Sequence, residues 1–282
     1  MNKGCLTKIS LICLLCLLIV SASCCINIGG WSLNARYERT VQLSAPLKSG
    51  STLAAQTHNG GITIAGADVT DCNLTAKITA HALTDEDAQK VAEQTKVTLV
   101  PFGDRLTVKI EKPMIMTNRS VSVELNATVP NKTSLELNTH NGGVKITDIV
   151  GDIDAATHNG GVSATKVEGS IKLETHNGSV TCKDISGDAK LRTHNGGIKV
   201  NYSEAAKPVC NVSVVTHNGG VEFVSPPNFS ATVDVSTHNG SIRTDLPITL
   251  TGEITKRKLT GKIGSDEGRL HLETHNGSIS IK

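Results

Sequence analysis

THNGGVSATKVEGSIKLET, residues Thr157–Thr175, spans one full period of this chain. The tetrapeptide Thr-His-Asn-Gly that opens it occurs eight times, starting at Thr57, Thr139, Thr157, Thr175, Thr193, Thr216, Thr237 and Thr274. The copies from Thr139 to Thr193 follow one another at 18-residue intervals. So strict a repeat specifies a stacked architecture, in which each unit buries its apolar side against its neighbours. Ile171, Leu173 and Thr175 alternate with Lys172, Glu174 and His176, the period of a strand with one buried face. Ile153, Ala155 and Thr157 hold the same places one repeat earlier, and Ala189, Leu191 and Thr193 one repeat later. Val180 and Cys182 resume the inward series after the Asn-Gly corner, and Ile185 and Gly187 mark a second bend. Eighteen residues at roughly 3.3 Å each give a circuit of about 60 Å, enough for two or three short strands per turn. The expected fold is mainly β: a parallel β-solenoid of ~18-residue rungs stacked about 4.8 Å apart, with a small α+β N-terminal cap or insertion.

Parity along the strand predicts that Thr175 and Asn177 point inward and His176 outward. Asn141, Asn159, Asn177 and Asn195 are then expected to form a ladder at the turn, each amide bonded to those above and below. Gly142, Gly160, Gly178 and Gly196 are expected to supply positive φ at the corner.

The first two copies are 82 residues apart, and the segment between them carries a helix signal. Thr84 suits an N-cap, Asp85, Glu86 and Asp87 the first turn, and Ala88, Val91, Ala92 and Thr95 one face. Strands are expected at 73–81, 96–100, 105–111 and 120–129, the whole covering one end of the coil. Two later rungs are lengthened, by Tyr202–Pro208 and Ser225–Phe229. A longer excursion, Pro247–Gly268 with Lys256, Arg257 and Lys258, reads as a hairpin beside the last rungs.

Lys3 and Lys8, an apolar run from Ile9 to Val20, and the small residues Ser21, Ala22 and Ser23 read as a secretory signal peptide. Cys24 follows a small residue, as at a lipidation site, which makes a lipid-anchored envelope protein the expectation; plain secretion and an uncleaved anchor are the other readings. The expected division is 1–23 signal, 24–50 mature N-terminal segment and first strand, and 51–282 solenoid, with 67–130 as insertion or cap and 131–282 as repeat rungs. Cys72, Cys182 and Cys210 show neither metal-ligand spacing nor a disulfide framework.

With Lys3 and Lys8 set aside, 26 of the 28 basic residues face 26 acidic ones, so the body is neutral. That balance argues against nucleic-acid capture, and with aromatics at 2% there is little to stack bases on. A thin interior of Val, Ile, Leu, Ala and Thr accounts for the shortage of aromatics. No nucleophile elbow, zinc-protease helix or phosphate loop is present, and the acids vary from rung to rung: Asp154, Lys172 and Lys190 share one column, Ala156, Glu174 and Arg192 another. No catalytic residue and no cofactor is expected.

His140, His158, His176 and His194 should form one outward file, able in principle to take Zn, Ni or Cu as a metal-binding alternative. No metal site is assigned to it, because the motif lacks a carboxylate or thiolate partner. Like charges so close should lower the histidine pKa values and let acid loosen this face.

Several features together resemble the bacterial putative-adhesin family of unknown function. They are the lipoprotein-like start, the early NGGI turn at Asn59–Ile62, the acidic-start helix LTDEDAQKVAEQ at Leu83–Gln94, the strand ending Val129-Pro130, and the repeated Asn-Gly turns. The resemblance covers Arg36 to Lys282 and implies a β-solenoid on an envelope protein; it supplies no catalytic residues. The expected role is a non-catalytic binding or scaffolding module anchored in the membrane through lipid. Its contacts would be an envelope polymer, a glycan or a protein partner. The alternatives are self-association into a structural assembly and periplasmic metal binding.

Overall fold

The computed structural model describes residues 35–113, 118–250, 255–265 and 267–282. The signal segment 1–23 and Cys24 lie outside the described residues. Each Thr-His-Asn-Gly copy joins two strands, and the eight pairs stack as rungs. Rung 1 is Thr52–Asn59 with Ile62–Ala67, rung 2 Ser134–Asn141 with Val144–Val150, and rung 3 Ile153–Asn159 with Val162–Glu168. Rung 4 is Ile171–Asn177 with Val180–Ser186, rung 5 Ala189–Asn195 with Ile198–Tyr202, and rung 6 Asn211–Asn218 with Val221–Val224. Rung 7 is Ala231–Asn239 with Ile242–Thr244, and rung 8 Gly268–Asn276 with Ile279–Ile281. The first strands of all rungs share one sheet of 12 strands and the second strands another of 11, parallel within the stack. The mainly β solenoid expected from the repeat is therefore the fold, with two strands per turn.

Pairing keeps equivalent residues in register: Ile153, Ile171 and Ala189 face one another, as do Asp154, Lys172 and Lys190. Ile171, Leu173, Val180 and Ile185 are each at most 3% exposed, so every rung contributes a band of aliphatic side chains to one continuous core. Burial of each such side chain stabilises the rod by roughly 1.5–3 kcal/mol. The second strand breaks alternation at Asp148, Lys166 and Asp184, whose φ values of 57°, 54° and 54° turn Ile149, Val167 and Ile185 back toward the core. Among the described residues the buried aromatic side chains Tyr202, Phe223 and Phe229 belong to the lengthened rungs. Buried Phe223 lies 5.9 Å from Tyr202 and 5.7 Å from Phe229, ring centre to ring centre.

The order of rungs departs from the order of the chain. Rung 8 pairs with rung 6 on one side and rung 7 on the other in both sheets, so the spatial sequence is 1-2-3-4-5-6-8-7. Beyond rung 7 the strand Lys258–Ile263 pairs antiparallel with Ala231–Ser236, and Thr249–Leu250 lies outside it.

The other end is closed by 35–46, 71–113 and 118–130. Arg105–Glu111 and Ser120–Pro130 add parallel strands below rung 1, and Lys96–Phe102, Asp71–Ala82 and Ala35–Pro46 continue antiparallel. A helix, Asp85–Gln94, packs Ala88, Val91 and Ala92 over these strands. Thr84 caps it by accepting from the Asp87 amide at 3.2 Å, and the acids of the first turn oppose the helix dipole. Among the described residues no helix is long and apolar enough to cross a membrane.

Candidate binding face along the repeated corner

The corner that repeats in every rung sorts its residues by side. Threonine faces in: Thr157, Thr175 and Thr193 are 3–6% exposed, and each donates Oγ1–H to the glycine carbonyl of the neighbouring corner at 2.8 Å. The corner glycines are half-buried, and the hydroxyl satisfies an acceptor that would otherwise cost about 1–3 kcal/mol if left without a partner. Sequence reasoning treated threonine as core lining and missed this bond. The signal was there: a hydroxyl side chain at a buried parity position in all eight copies.

The asparagines do form a ladder, Asn159 Nδ2 donating to Asn141 Oδ1 and Asn177 Nδ2 to Asn159 Oδ1, both at 2.8 Å. They are exposed, however, and not inward as parity predicted. Cα pairing runs from threonine to threonine and asparagine to asparagine and omits the histidine between them. The strand leaves its pleat at that residue, so alternation stops and both His and Asn end up outside.

The positive φ expected of the corner glycines is found at Gly142 (157°) and Gly160 (158°), but the requirement shared by all four is a close approach of backbones, a Cβ on any of them falling 2.0–2.2 Å from the neighbouring corner carbonyl. Gly178 and Gly196 do not have left-handed φ; a Cβ on either would lie 2.0 Å from the carbonyl oxygen of the neighbouring corner glycine. Backbones at the corner approach too closely for any side chain, and this proximity fixes the residue.

His140, His158, His176 and His194 stand in the file expected, and the file continues through every copy. In spatial order it runs His58, His140, His158, His176, His194, His217, His275, His238. Ring centres are 4.5–4.9 Å apart and planes lie within 6° of parallel. All eight side chains are exposed. His194 is held below its ordinary pKa by displaced water first, then by His217, His176 and Arg192. The strand column beside the file is Gln56, Asn138, Ala156, Glu174, Arg192, Val215, Glu273 and Ser236, taken in the same order.

As a metal site the file has the wrong pitch. Rings related by a 4.8 Å shift place equivalent nitrogens the same distance apart. A Zn–N bond is about 2.0–2.1 Å, so even a linear bridge spans only about 4.2 Å. Among the described residues no group of three or more His, Cys, Asp or Glu is placed to hold a metal ion. Cys72 and Cys182 are buried thiols whose pKa burial pushes up to about 12, which removes the thiolate a ligand would require.

A groove of about 870 Å³ follows the opposite corner of the same sheet from rung 1 through rung 6 to rung 8. Ile153 and Ile171 lie along its floor, and Asp152, Asp154, Lys172 and Asp188 along its sides. In that column Lys172 and Asp154 pair across rungs, Lys172 Nζ lying 3.0 Å from Asp154 Oδ2.

The profile of the Toastrack DUF4097 family matches residues 23–282. The chain belongs to that family. The resemblance drawn from the turn and helix motifs is met by it. In fold the chain is similar to a putative cell adhesion protein from Clostridium sporogenes ATCC 15579, at 12% identity and a TM-score of 0.39, covering 86% of this chain and 98% of that one. It is similar to a putative adhesin from Bacteroides fragilis NCTC 9343 at 12% identity and 0.39, covering 86% and 97%. A putative adhesin from Parabacteroides distasonis ATCC 8503 gives 11% identity and 0.31, covering 87% and 97%. No curated protein matches the chain.

Proposed function

We propose that this Toastrack protein is a non-catalytic binding module of the cell envelope, exported and held at the membrane by lipid on Cys24. It engages an extended polymer along the length of the rod. The observation that carries this reading is the register of the rungs: one outward side chain recurs at intervals near 4.8 Å over the whole stack, and a groove runs parallel to it along the opposite corner of the same sheet. A lattice of identical weak contacts suits a repeating ligand, because each further contact forms within an already bound complex. Proteins similar in fold carry adhesin names, which agrees with a binding role.

Co-sedimentation of the full chain with isolated envelope polymers tests it. Retention that falls with polymer fragmentation is expected, and indifference to every envelope polymer would overturn the reading. Cys24→Ser should release the protein from the membrane fraction; unchanged fractionation would refute the lipid anchor.

A further inference from the structure

The histidine file does not stand alone. At its first end, Lys112 shares with His58 and His140 a concavity of about 1000 Å³ that also takes in Arg105, Lys109 and Lys172 and the acids Glu136 and Asp154. Lys109 pairs with Glu111 and Arg105 with Glu136, while Lys112 makes no ion pair among the described residues. At the far end, Lys258 is the register partner of Ser236, and the chain before it bonds along the same strand and corner: the Thr237 amide donates to the Arg257 carbonyl and the Ile242 amide to the Lys256 carbonyl. Lys256, Arg257 and Lys258 are therefore brought beside His238. All three are exposed and make no ion pair among the described residues. Between the two ends lie seven steps of 4.5–4.9 Å, a row of roughly 33 Å.

We propose that this file, with permanent cations at both ends, is a proton-gated binding site for a linear polyanion whose charges are phosphate groups. The reading rests on the polymer-binding role above and names the class of polymer and its gate.

Histidine is the side chain whose charge changes within the physiological range, whereas the lysines and arginine at the two ends carry theirs throughout it, on a body with no net charge. Protonated, the row is a line of cations at a pitch a charged polymer can follow. Neighbouring imidazolium groups repel, so the free file resists full protonation; His194 already shows this, with its pKa lowered in part by His176 and His217. A polyanion lying along the row offsets that repulsion. Binding and proton uptake are consequently linked, each favouring the other. The flanks permit the approach. One side is the asparagine ladder, whose amides are neutral. The column on the other side has two acids, Glu174 and Glu273, and one base, Arg192. Glu273 has a cationic partner when His271, 3.5 Å away, is protonated. A single phosphate meets only one or two rungs, whereas a chain meets all eight, so length decides affinity.

The test is binding of labelled long-chain inorganic polyphosphate to the full chain at about pH 5.5 and about pH 7.5. Orthophosphate at equal phosphate concentration and a single-stranded oligonucleotide run alongside. The expected result is at least about tenfold tighter polyphosphate binding at the lower pH, weakening steeply with salt, and little response to orthophosphate. Replacing His158, His176, His194 and His217 together by Gln should abolish the pH ratio. Replacing Lys256, Arg257 and Lys258 by Gln should weaken binding at both pH values and leave the ratio in place. Should the histidine variant melt early, proton uptake on binding to the unsubstituted chain, read by calorimetry in buffers of different ionisation heat, decides the matter. Preference for polyphosphate over the oligonucleotide, or the reverse, identifies the source of the phosphate chain, and either supports the site. Equal affinity at both pH values, binding without proton uptake, or an unchanged ratio in the histidine variant would overturn it. So would stoichiometric Zn²⁺ uptake lost in that variant without any pH-dependent polyphosphate binding. If polyphosphate fails while an uncharged envelope polymer is retained, the site is refuted and the binding role stands.

Discussion

Gly178→Ala separates the two reasons a corner glycine can be required. If angle decided, alanine would be tolerated, because Gly178 is not in the left-handed region. If proximity decides, the new Cβ falls 2.0 Å from the Gly160 carbonyl oxygen and 2.5 Å from its carbon, where ordinary contact begins at 3.4 Å. The corners of rungs 3 and 4 must then part locally by more than roughly 1 Å, which overpacking data place at about 1–3 kcal/mol. Two bonds across that gap are lost with it, Thr175 Oγ1 to Gly160 O at 2.8 Å and Gly160 N to Asn177 O at 2.9 Å, at about 1 kcal/mol each. The total is about 3–5 kcal/mol, a fall in melting temperature of roughly 6–20 °C for a chain of this size. The control is Gly161→Ser. A Cβ there meets Ser179 O at 3.2 Å, and the same corner position is already serine at Ser179, Ser241 and Ser278. It should melt within roughly 2 °C of the unsubstituted protein. Thermal unfolding followed by circular dichroism reads both. Equal melting of the two variants, or an unshifted Gly178→Ala, refutes the proximity argument.

Thr175→Val keeps shape and removes the inward donor, leaving the Gly160 carbonyl without its side-chain partner; a loss of about 1–3 kcal/mol in urea unfolding is expected, and none would show that the hydroxyl is dispensable. The His194 pKa lies below its ordinary 6.5, so its contribution to stability is present above that value and is lost as pH falls through the lowered one. The melting temperature should therefore drop between about pH 7.5 and pH 5, and drop less in His194→Gln; the same drop in that variant would rule this histidine out. For Cys72 and Cys182 the sign is reversed: the neutral thiol is favoured up to about 12 in the fold, so stability from this source is present below the ordinary 9.0 and fades above it. At about pH 8 peptide mapping should find both unmodified by a thiol reagent in the native protein and modified in urea, and equal rates in the two states would contradict their burial.

Period and parity made most of this structure readable. Alternation at Ile171, Leu173 and Thr175 located a strand, and the helix at Asp85–Gln94 follows from its cap and its acidic first turn. Columns such as Asp154, Lys172 and Lys190 follow from the 18-residue spacing alone. Parity failed at His-Asn because it assumes an unbroken pleat, and the chain bends there. Positive φ at the corner holds for Gly142 and Gly160 but not for Gly178 and Gly196, and the proximity common to all four was missed because a single rung does not reveal how near the next one lies. The end clusters of the histidine file come from segments 105–112 and 256–258, which are distant in sequence from most of the file. Lys112 becomes part of the site only once the cap folds under rung 1.

The inserted rung has a kinetic meaning. Every corner offers the same threonine hydroxyl, imidazole face and asparagine amide, so rung 7 docked directly on rung 6 would make the ladder bonds that rung 8 makes there instead. Corner chemistry cannot tell these neighbours apart, and the loop between rungs 6 and 7 is the shorter connection. Loop-closure entropy favours the order that the native protein does not have. The native order is selected by contacts outside the repeat, above all the antiparallel pairing of Lys258–Ile263 with Ala231–Ser236. The rod thus carries one point of frustration in an otherwise consistent landscape: folding there is a choice between two stacking isomers, made by the least repetitive segment of the chain.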